Sequence, residues 1–335
     1  MNIYDVSKKA GVSIATVSRV INGNSYVSEK TKEKVLKVIE EYQYTPNAFA
    51  RGLGLNSMHT VGIMCADSSD PYLASAIYYL EQALRQHGYD SLLCCTGYEL
   101  SEKQKYLDLL LSKRTDAIIL VGSNFVEADS TKNDYIRDAA LQVPIMILNA
   151  ALDGSNIYCT LCDDYLAVYD ATNALIQRGL KNILFLYNTK SYSSNKKLSG
   201  YLAAMDTLYS DPAKKQELVH YINGNLLEVK DHLNALRKTG LKPEAIVATD
   251  DFLAIGALKY AKEHHISVPD QLSIVGYNNS IVALCSEPEL TSIDNKLEAL
   301  CANCVTTLMG VFNNQAVPLK TVYQAEIKKR GTTRF

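Results

Sequence analysis

The chain has 335 residues, of which 47% are hydrophobic and 21% charged, and its formal net charge is −2. This length predicts about two domains, or one small module and a two-lobed body, and the composition excludes collagen-like and largely disordered chains. Positive charge is concentrated in residues 1–60, which hold 8 Lys and Arg against 5 Asp and Glu, whereas the remainder is acidic. This asymmetry favours an anionic partner for the N-terminal segment.

The sequence predicts neither a membrane-spanning segment nor a secretory signal. Its apolar runs are far shorter than the roughly 18 residues that span a bilayer. The first residues lack a basic segment followed by a long apolar stretch, so we expect a cytoplasmic protein with no membrane partner. The eight cysteines are then typical of reduced thiols, and no disulfide bridges are expected.

Three short helices are predicted within residues 1–45. Asn2 and Asp5 have the spacing of a capping box at the start of the first helix, which ends at Gly11. Ser13 is the predicted N-cap of the second helix and Ser28 that of the third. Apolar residues recur at three- and four-residue steps, so the first two helices can share a core. These residues are Val6, Ala10, Val12, Val17, Val20 and Ile21.

A helix, a turn containing Gly and a second helix that begins with small polar residues predict a helix-turn-helix unit. The second helix of such a unit lies in the DNA major groove. Arg19 could donate to guanine or phosphate, and Ile14 could contact a thymine methyl group. A solvated helical hairpin without DNA function is the alternative interpretation. The candidate DNA-binding residues of the head are Tyr4, Ser13, Ile14, Ala15, Thr16, Ser18, Arg19, Asn22 and Tyr26.

Residues 46–58 are predicted to form a hinge or linker. Pro46 disfavours helix at the preceding residue, and Asn47 is a suitable N-cap for a short helix over residues 48–53. A helix this short is marginal in water by itself, so we expect it to order with a partner. A plain linker is the alternative.

From residue 60 onward, strands and helices alternate, and this alternation predicts a core over residues 59–335. Two sets of about four βα units indicate two parallel-sheet lobes, each wound in the right-handed sense. The predicted lobes are residues 59–160 with 294–321, and 161–293 with 322–335. Ser101 and Gln104 have capping-box spacing within the first lobe. The predicted strands are 61–66, 91–96, 117–121, 145–149, 183–187, 219–222, 246–248, 273–277 and 322–329.

Several different sequence motifs are distributed along essentially the whole chain. They are residues 3–23, Val27-Ser28, Tyr44-x-Pro46-Asn47-x-x-Ala50-Arg51-x-Leu53, Tyr106-Leu107 before Asp116-Ala117-Ile118-Ile119, Asp251-x-x-Ala254-x-Gly256-Ala257 before Val268-Pro269, Ser273-Ile274-Val275-Gly276-Tyr277-Asn278-Asn279, and Pro288-x-Leu290-Thr291-x-Ile293. In these motifs the chain closely resembles the LacI/GalR family of bacterial transcriptional repressors. The resemblance implies an all-α helix-turn-helix head, a hinge helix, and an α/β core of two lobes like those of periplasmic sugar-binding proteins.

The resemblance also implies how the protein engages DNA. Two copies would bind a pseudo-palindromic operator, with their hinge helices paired in the minor groove. By motif position Leu53 would wedge between the central base pairs and Ala50 would lie at the helix contact. An apolar wedge of this kind unstacks a base step and bends DNA. Arg51 could reach a phosphate or the groove floor, and Asn47 completes the hinge set.

A small sugar-like effector is expected between the lobes, because parallel sheets bind ligands beyond the carboxyl ends of their strands. This rule nominates residues that follow the first, third and fourth predicted strands: Asp67, Ser69, Tyr72, Leu73, Ser123, Asn124 and Asn149. By motif position the resemblance adds the second-lobe residues Lys197, Leu226, Asp250 and Asn278.

Two of these positions depart from the family pattern. The family often has Arg at the position of Lys197 and Asp at that of Asn278. At Lys197 an ammonium group replaces the planar guanidinium group of Arg, and at Asn278 an amide replaces the carboxylate of Asp. Hydrogen bonds to the hydroxyl groups of a ligand would therefore be less strongly charge-assisted. We therefore expect an effector other than a simple neutral hexose.

Two Cys-x-x-Cys pairs, Cys159 with Cys162 and Cys301 with Cys304, raise the possibility of a zinc or redox site. The pairs are too far apart in sequence for a zinc ribbon, so we predict no metal or cofactor. No phosphate-binding Gly-rich loop and no hydrolase or metalloprotease motif is present, so no enzymatic reaction is indicated. No leucine heptad follows the last predicted strand, and we expect a homodimer. The alternatives are a cytosolic sugar-binding protein without DNA function and a thiol- or metal-responsive sensor.

Overall fold

The computed structural model describes residues 1–21, 26–44, 57–223 and 226–334. The N-terminal head consists of three helices, α1 (Ile3–Ala10), α2 (Ile14–Ile21) and α3 (Glu29–Glu41). The predicted capping box is confirmed, because the side chains of Asn2 and Asp5 each accept from the other's backbone N–H. The apolar faces of the three helices form one small core, which buries Val6, Ala10, Val17, Val20 and Val35.

The turn between α1 and α2 needs a left-handed residue, and Gly11 supplies it with φ of 64°. Ser13 caps α2 as predicted, since its Oγ accepts from the backbone N–H of Thr16 at 3.2 Å. Ser28 is the N-cap residue of α3, as predicted, although its side chain makes no capping bond. Its hydroxyl pairs with that of Thr31 at 2.9 Å and bonds no backbone N–H of α3.

The core begins with alternating strands and helices and then continues through a second set. The first set is β1 (Thr60–Cys65), α4 (Pro71–Gln86), β2 (Asp90–Cys95), α5 (Leu100–Ser112), β3 (Ala117–Val121), α6 (Asp134–Ala140), β4 (Ile145–Leu148) and β5 (Ile157–Cys162). The second set is α7 (Asp164–Gln177), β6 (Ile183–Tyr187), α8 (Tyr192–Met205), α9 (Pro212–Gln216), β7 (Val219–Tyr221), α10 (Leu226–Lys238), β8 (Ala245–Ala248), α11 (Asp251–Glu263), β9 (Ser273–Tyr277), α12 (Ile281–Cys285) and β10 (Thr291–Asp294). The last elements are α13 (Leu297–Phe312), β11 (Lys320–Tyr323) and β12 (Glu326–Lys328).

These strands form two six-stranded sheets, one in each lobe. The first has the order β11-β5-β4-β3-β1-β2 and is parallel throughout. The second has the order β12-β10-β9-β8-β6-β7 and is parallel except for β12, which runs antiparallel to β10. The chain therefore crosses between the lobes after β5, after β10 and between β11 and β12.

Several sequence expectations need correction. Strands β5 and β10 were not predicted, and the predicted strand 322–329 is two strands that belong to different sheets. The crossovers lie one or two residues beyond the predicted boundaries, since Cys162, Asp294 and Tyr323 still belong to strands. Helix α5 begins after Glu99, so Ser101 lies in its first turn and forms no capping box.

Helices cover both faces of each sheet and bury apolar strands such as β3, whose five residues are all inaccessible. Helices α7 and α8 approach closely at Gly200, where a Cβ atom would clash with the carbonyl oxygen of Tyr165. All eight cysteines are free thiols. No helix in the described part of the chain combines the length and apolar character that crossing a bilayer requires.

Candidate functional site

One face of α2 is turned to solvent, opposite the buried Val17 and Val20. Ser13, Ile14, Ala15 and Arg19 are exposed on the head, as are Tyr4 and Tyr26, while Thr16 and Ser18 are half-buried. The remaining predicted DNA-binding residues lie outside the described residues; they are Asn22, Asn47, Ala50, Arg51 and Leu53.

The exposed face of α2 has the chemistry of a groove-binding helix. Ser13 and Thr16 pair their hydroxyls at 2.9 Å at its N-terminus. This is the positive end of the helix dipole, which favours phosphate. Arg19 is exposed in the last turn of α2 and can reach either a phosphate or a base edge.

A cleft of about 760 Å³ lies between the lobes, at the carboxyl ends of strands from both sheets. The first lobe contributes residues that follow β1 to β4, and the second contributes residues that follow β6, β8 and β9. Eight predicted effector residues line this cleft: Tyr72, Leu73, Ser123, Asn124, Asn149, Lys197, Asp250 and Asn278. The strand-end rule nominated five of these residues and motif position the other three, and their contact with an effector stays a prediction.

The structure does not bring Asp67, Ser69 or Leu226 to the cleft lining. The Asp67 carboxylate instead accepts from the backbone N–H and the hydroxyl of Ser69, at 2.8 and 2.7 Å. These two bonds lower the pKa of Asp67 and form an exposed turn ahead of Asp70, which caps α4. Leu226 is the first residue of α10 and is half-buried.

A chain of hydrogen bonds among residues that line the cleft joins the two lobes. The hydroxyl oxygen of Tyr72 accepts from the amides of Asn149 and Asn295, the latter at 3.1 Å. Asn295 also donates to Oδ1 of Asn278 at 3.2 Å. The network thus runs from the end of β4 to the end of β9, through the segment after β10 where the chain crosses between lobes.

A second contact crosses the cleft between Ser123, after β3, and the start of α8. The Ser123 hydroxyl donates to Oγ of Ser191 at 2.9 Å, and its carbonyl accepts from the N–H of Tyr192 at 3.3 Å. Ser191 also caps α8. Together with the Tyr72 network, this contact holds the two lobes in one relative position.

Lys197 is the cationic centre of the second-lobe wall and is buried. Its Nζ donates to the carbonyl oxygen of Thr249 at 3.1 Å and lies 3.5 Å from the ring centroid of Tyr277. The hydroxyl of Tyr277 donates to the carboxylate of Asp164. Burial lowers the pKa of Lys197 and raises the pKa of Asp164 and Asp250, while attraction between these groups opposes both shifts.

Lys103 supplies a second buried cation, on the first-lobe wall. Its side chain is only 3% exposed and forms an ion pair with Glu127 at 2.8 Å. Its Nζ also donates to the carbonyl oxygen of Asn124. Each wall of the cleft therefore presents an amine that is already bound to protein oxygens, which limits the positive charge available to a ligand.

Three buried polar atoms of the cleft have no hydrogen-bond partner among the described residues. They are Nδ2 of Asn124, Oγ1 of Thr249 and Oδ1 of Asn295. Buried polar groups are nearly always paired, so each of these atoms needs a partner from water or from a ligand. One is a donor, one an acceptor and one can be either, a mixture that suits neutral hydroxyl groups.

Several lining residues were missed by the sequence reasoning: Asp70, Tyr98, Lys103, Glu127, Asp164, Asn188 and Asn295. Tyr98 and Asn188 follow predicted strands, so the strand-end rule could have found both. Asp164 and Asn295 follow β5 and β10, the two strands that the sequence did not predict. No sequence signal marks Lys103 or Glu127. Their place in the cleft lining depends on the ion pair between them, which forms only in the folded protein.

The Cys-x-x-Cys pairs do not form a metal cluster in the described chain. Cys159 and Cys162 are buried on β5, and Cys301 and Cys304 are buried on α13. Across the described ranges no group of three or more His, Cys, Asp or Glu side chains could hold a metal ion.

Comparison with known proteins gives consistent matches over the whole chain. The model for periplasmic binding proteins and the sugar binding domain of the LacI family matches residues 58–329, and that for bacterial regulatory proteins of the lacI family matches residues 2–47. An HTH-type transcriptional regulator from Lachnoclostridium phytofermentans is 58% identical over 335 residues, covering 100% of both chains.

Two solved structures share the fold. The lac repressor dimer bound to operator and the anti-inducer ONPF has a TM-score of 0.87 at 23% identity, with 99% of each chain covered. The complex of the transcriptional regulator CelR with cellobiose has a TM-score of 0.70 at 23% identity, again covering 99% of each chain. These matches confirm the predicted fold class, a helix-turn-helix head and two parallel-sheet lobes.

Proposed function

Because this chain belongs to the LacI family and is a DNA-binding transcriptional regulator, we propose that it represses genes for carbohydrate use under the control of a sugar-like effector. The observation that carries the proposal is the cleft between the lobes. Three residues of its lining each hold a buried polar atom without a hydrogen-bond partner among the described residues: Asn124 Nδ2, Thr249 Oγ1 and Asn295 Oδ1. The lac repressor and CelR structures, which bind operator and cellobiose respectively, support the same assignment.

The effector acts by changing the relation between the lobes. The hydrogen bonds that Asn295 donates to Tyr72 and that Ser123 donates to Ser191 already cross between the lobes. A ligand that binds between these contacts alters the lobe arrangement that the network stabilises, and so biases the state of the hinge. The coupling between effector and DNA affinity is then on the order of 1–3 kcal/mol.

The protein acts on DNA as a homodimer on a pseudo-palindromic operator. Each head inserts α2 into the major groove with Arg19 at the base edges or phosphates. The hinge residues Asn47, Ala50, Arg51 and Leu53 enter the minor groove, where Leu53 unstacks the central step. Substitution of Leu53 by Ala is expected to reduce the DNA bend angle, and an unchanged angle would exclude the wedge.

We expect the effector to be a polyhydroxyl compound other than a simple neutral hexose, because Lys197 and Asn278 stand where the family often has Arg and Asp. Asn149 follows β4 and Asn278 follows β9, and the side-chain amides of both belong to the cleft lining. The amines of Lys103 and Lys197 are held by protein oxygens, which limits the positive charge that they offer to a ligand. A cleft of about 760 Å³ is within the range of about 300–1,000 Å³ found for small-molecule sites.

The test is binding of the purified protein to DNA from upstream of its own gene, at fixed salt, with a panel of sugars, disaccharides and sugar acids. Release by one compound identifies an inducer, and tighter binding identifies a corepressor. Absence of specific DNA binding under every condition would overturn the proposal in favour of a sugar-binding protein without DNA function. Stoichiometric zinc with four protected thiols would instead favour a metal sensor.

A further inference from the structure

Two cysteines of the first lobe are placed side by side at the end of neighbouring strands. Cys65 is the last residue of β1 and Cys95 the last residue of β2, and the two are register partners in the parallel pair. Their side chains point to the same face, and the Sγ atoms are 3.7 Å apart. No other two thiols in the described chain are recorded in such a contact, although eight free cysteines are present.

The backbone at this pair meets the requirement for a disulfide. Adjacent strands lie roughly 4.8 Å apart, within the Cα separation of about 4.4–6.8 Å that disulfides span. Backbone bonds hold the strands together beyond the pair, since Thr96 donates to the carbonyl of Cys65 and Gly97 to that of Ala66, both at 2.9 Å. The sulfur atoms therefore need only a short approach, to about 2.0 Å, to form the bond.

The two thiols differ in access and so have different roles. Cys95 is exposed, whereas Cys65 is fully buried. Burial raises the pKa of Cys65 to about 12, so this thiol remains protonated in the resting protein. An oxidant in solution therefore reaches Cys95 first, and Cys65 is positioned to react with the oxidised sulfur.

We propose that Cys65 and Cys95 are a site of reversible oxidation that forms an intramolecular disulfide in response to a peroxide. The Cys95 thiolate attacks one peroxide oxygen, the O–O bond breaks and the leaving hydroxide is protonated to water. The resulting sulfenic acid of Cys95 is attacked by the sulfur of Cys65, the S–O bond breaks, and the oxygen leaves as water with the proton from Cys65. Two thiols and one hydrogen peroxide thus give one disulfide and two water molecules.

The site lies at the ends of the two strands that lead into the first-lobe wall of the cleft. Five residues after Cys65 the chain reaches Asp70, and three residues after Cys95 it reaches Tyr98, and both line the cleft. A covalent link therefore joins the two strands at the point where each continues into this wall. Oxidation is expected to change the response to the effector, an effect that rests on the proposed function.

The bond itself is tested on the full-length protein with graded hydrogen peroxide, followed by peptide mapping without reductant. The expected result is a linked pair of peptides containing Cys65 and Cys95, lighter by two hydrogens than the reduced pair and separated again by dithiothreitol. Its rate of formation is expected to be independent of protein concentration. A Cys95 link between two chains, a bond to Cys94, or stable over-oxidation of Cys95 without a link would each overturn the proposal.

Single-cysteine variants test the separate roles of Cys65 and Cys95. With Cys65→Ser, peroxide is expected to leave Cys95 as a sulfenic acid that dimedone traps, and with Cys95→Ser no link forms. Cys285→Ser is the matched control, because Cys285 is the other exposed thiol and lies on α12 in the second lobe. It should leave the link unchanged.

The functional consequence is measured separately, as sugar-dependent release of DNA by the reduced and oxidised proteins. A shift of severalfold in the sugar concentration for half-release is expected in the wild type and not in Cys95→Ser. Equal responses would overturn the coupling to the cleft. If neither form binds DNA, the proposed function fails, whereas the peptide map still decides whether the disulfide forms.

Discussion

Asn295 donates from Nδ2 to the hydroxyl oxygen of Tyr72 across 3.1 Å, and this bond joins a crossover segment to the first turn of α4. The same amide group donates to Asn278 at the end of β9, and Asn149 donates to the same Tyr72 oxygen from the end of β4. One phenolic oxygen is thus shared by groups from both lobes. It connects residues of the cleft lining to the relative position of the lobes, as the contact between Ser123 and Ser191 also does.

Substitution of Tyr72 by Phe is expected to destabilise the protein by about 1–2 kcal/mol, because the amides of Asn149 and Asn295 lose their common acceptor. The measurement is urea unfolding of the variant and the wild type. Tyr78→Phe is the matched control, since Tyr78 lies on the same helix and is 57% exposed. Equal stability of the Tyr72 variant and the control would show that the network adds nothing to the fold.

Substitution of Arg19 by Ala is expected to weaken operator binding by about 1–3 kcal/mol and to leave sugar affinity intact, because Arg19 is exposed on α2 in the head, outside the effector cleft. Fluorescence anisotropy with labelled operator at fixed salt measures the effect. Arg178→Ala serves as the control, because it removes an exposed arginine at the end of α7, outside the head. Unchanged operator affinity in the Arg19 variant would mean that α2 does not read the groove.

The sequence predicts most of the fold because local signals agree with it. Gly11 ends α1 because the turn needs a left-handed conformation, which glycine adopts readily. Strands that alternate with helices pair in parallel because each helix returns the chain to the same edge of the sheet. Strand β5 escaped prediction because no helix separates it from β4, and β10 because only the five-residue helix α12 separates it from β9, so neither strand fits the βα alternation. Asp164 and Asn295, which follow these two strands, were missed for the same reason. The sequence could not place Lys103 in the cleft, because its burial depends on an ion pair with Glu127, 24 positions away.

Substitution of Ser123 by Ala is expected to favour a more open arrangement of the lobes, since it removes the donor to Ser191. A typical hydrogen bond contributes about 0.5–1.5 kcal/mol, so the sugar concentration for half-maximal response should change by roughly 2- to 10-fold. Small-angle scattering and a sugar titration of DNA binding measure the two effects. Ser75→Ala, on the exposed side of α4, is the control. A wild-type titration for the Ser123 variant would rule out this contact as part of the coupling.

The second lobe contains a histidine pair away from the cleft lining. His220 on β7 and His232 on α10 have ring centroids 5.0 Å apart, and Nε2 of each is buried without a partner among the described residues. Burial lowers the pKa of both, and repulsion from His232 contributes to lowering that of His220, which falls to about 4. Both rings are therefore neutral in the folded protein at neutral pH.

This pair is expected to make the protein less stable in mild acid. An unfolded histidine takes up a proton near pH 6.5, whereas His220 in the folded state resists protonation down to about pH 4. Above pH 6.5 both states are neutral and stability is unaffected, and between about pH 6.5 and 4 the unfolded state binds more protons, so stability falls as pH falls. Calorimetric Tm values across this range should show a shallower decline for His220→Phe than for the wild type. His87→Phe, which replaces an exposed histidine at the end of α4, should decline as the wild type does. An identical slope in all three proteins would mean that His220 is protonated equally in the folded and unfolded states.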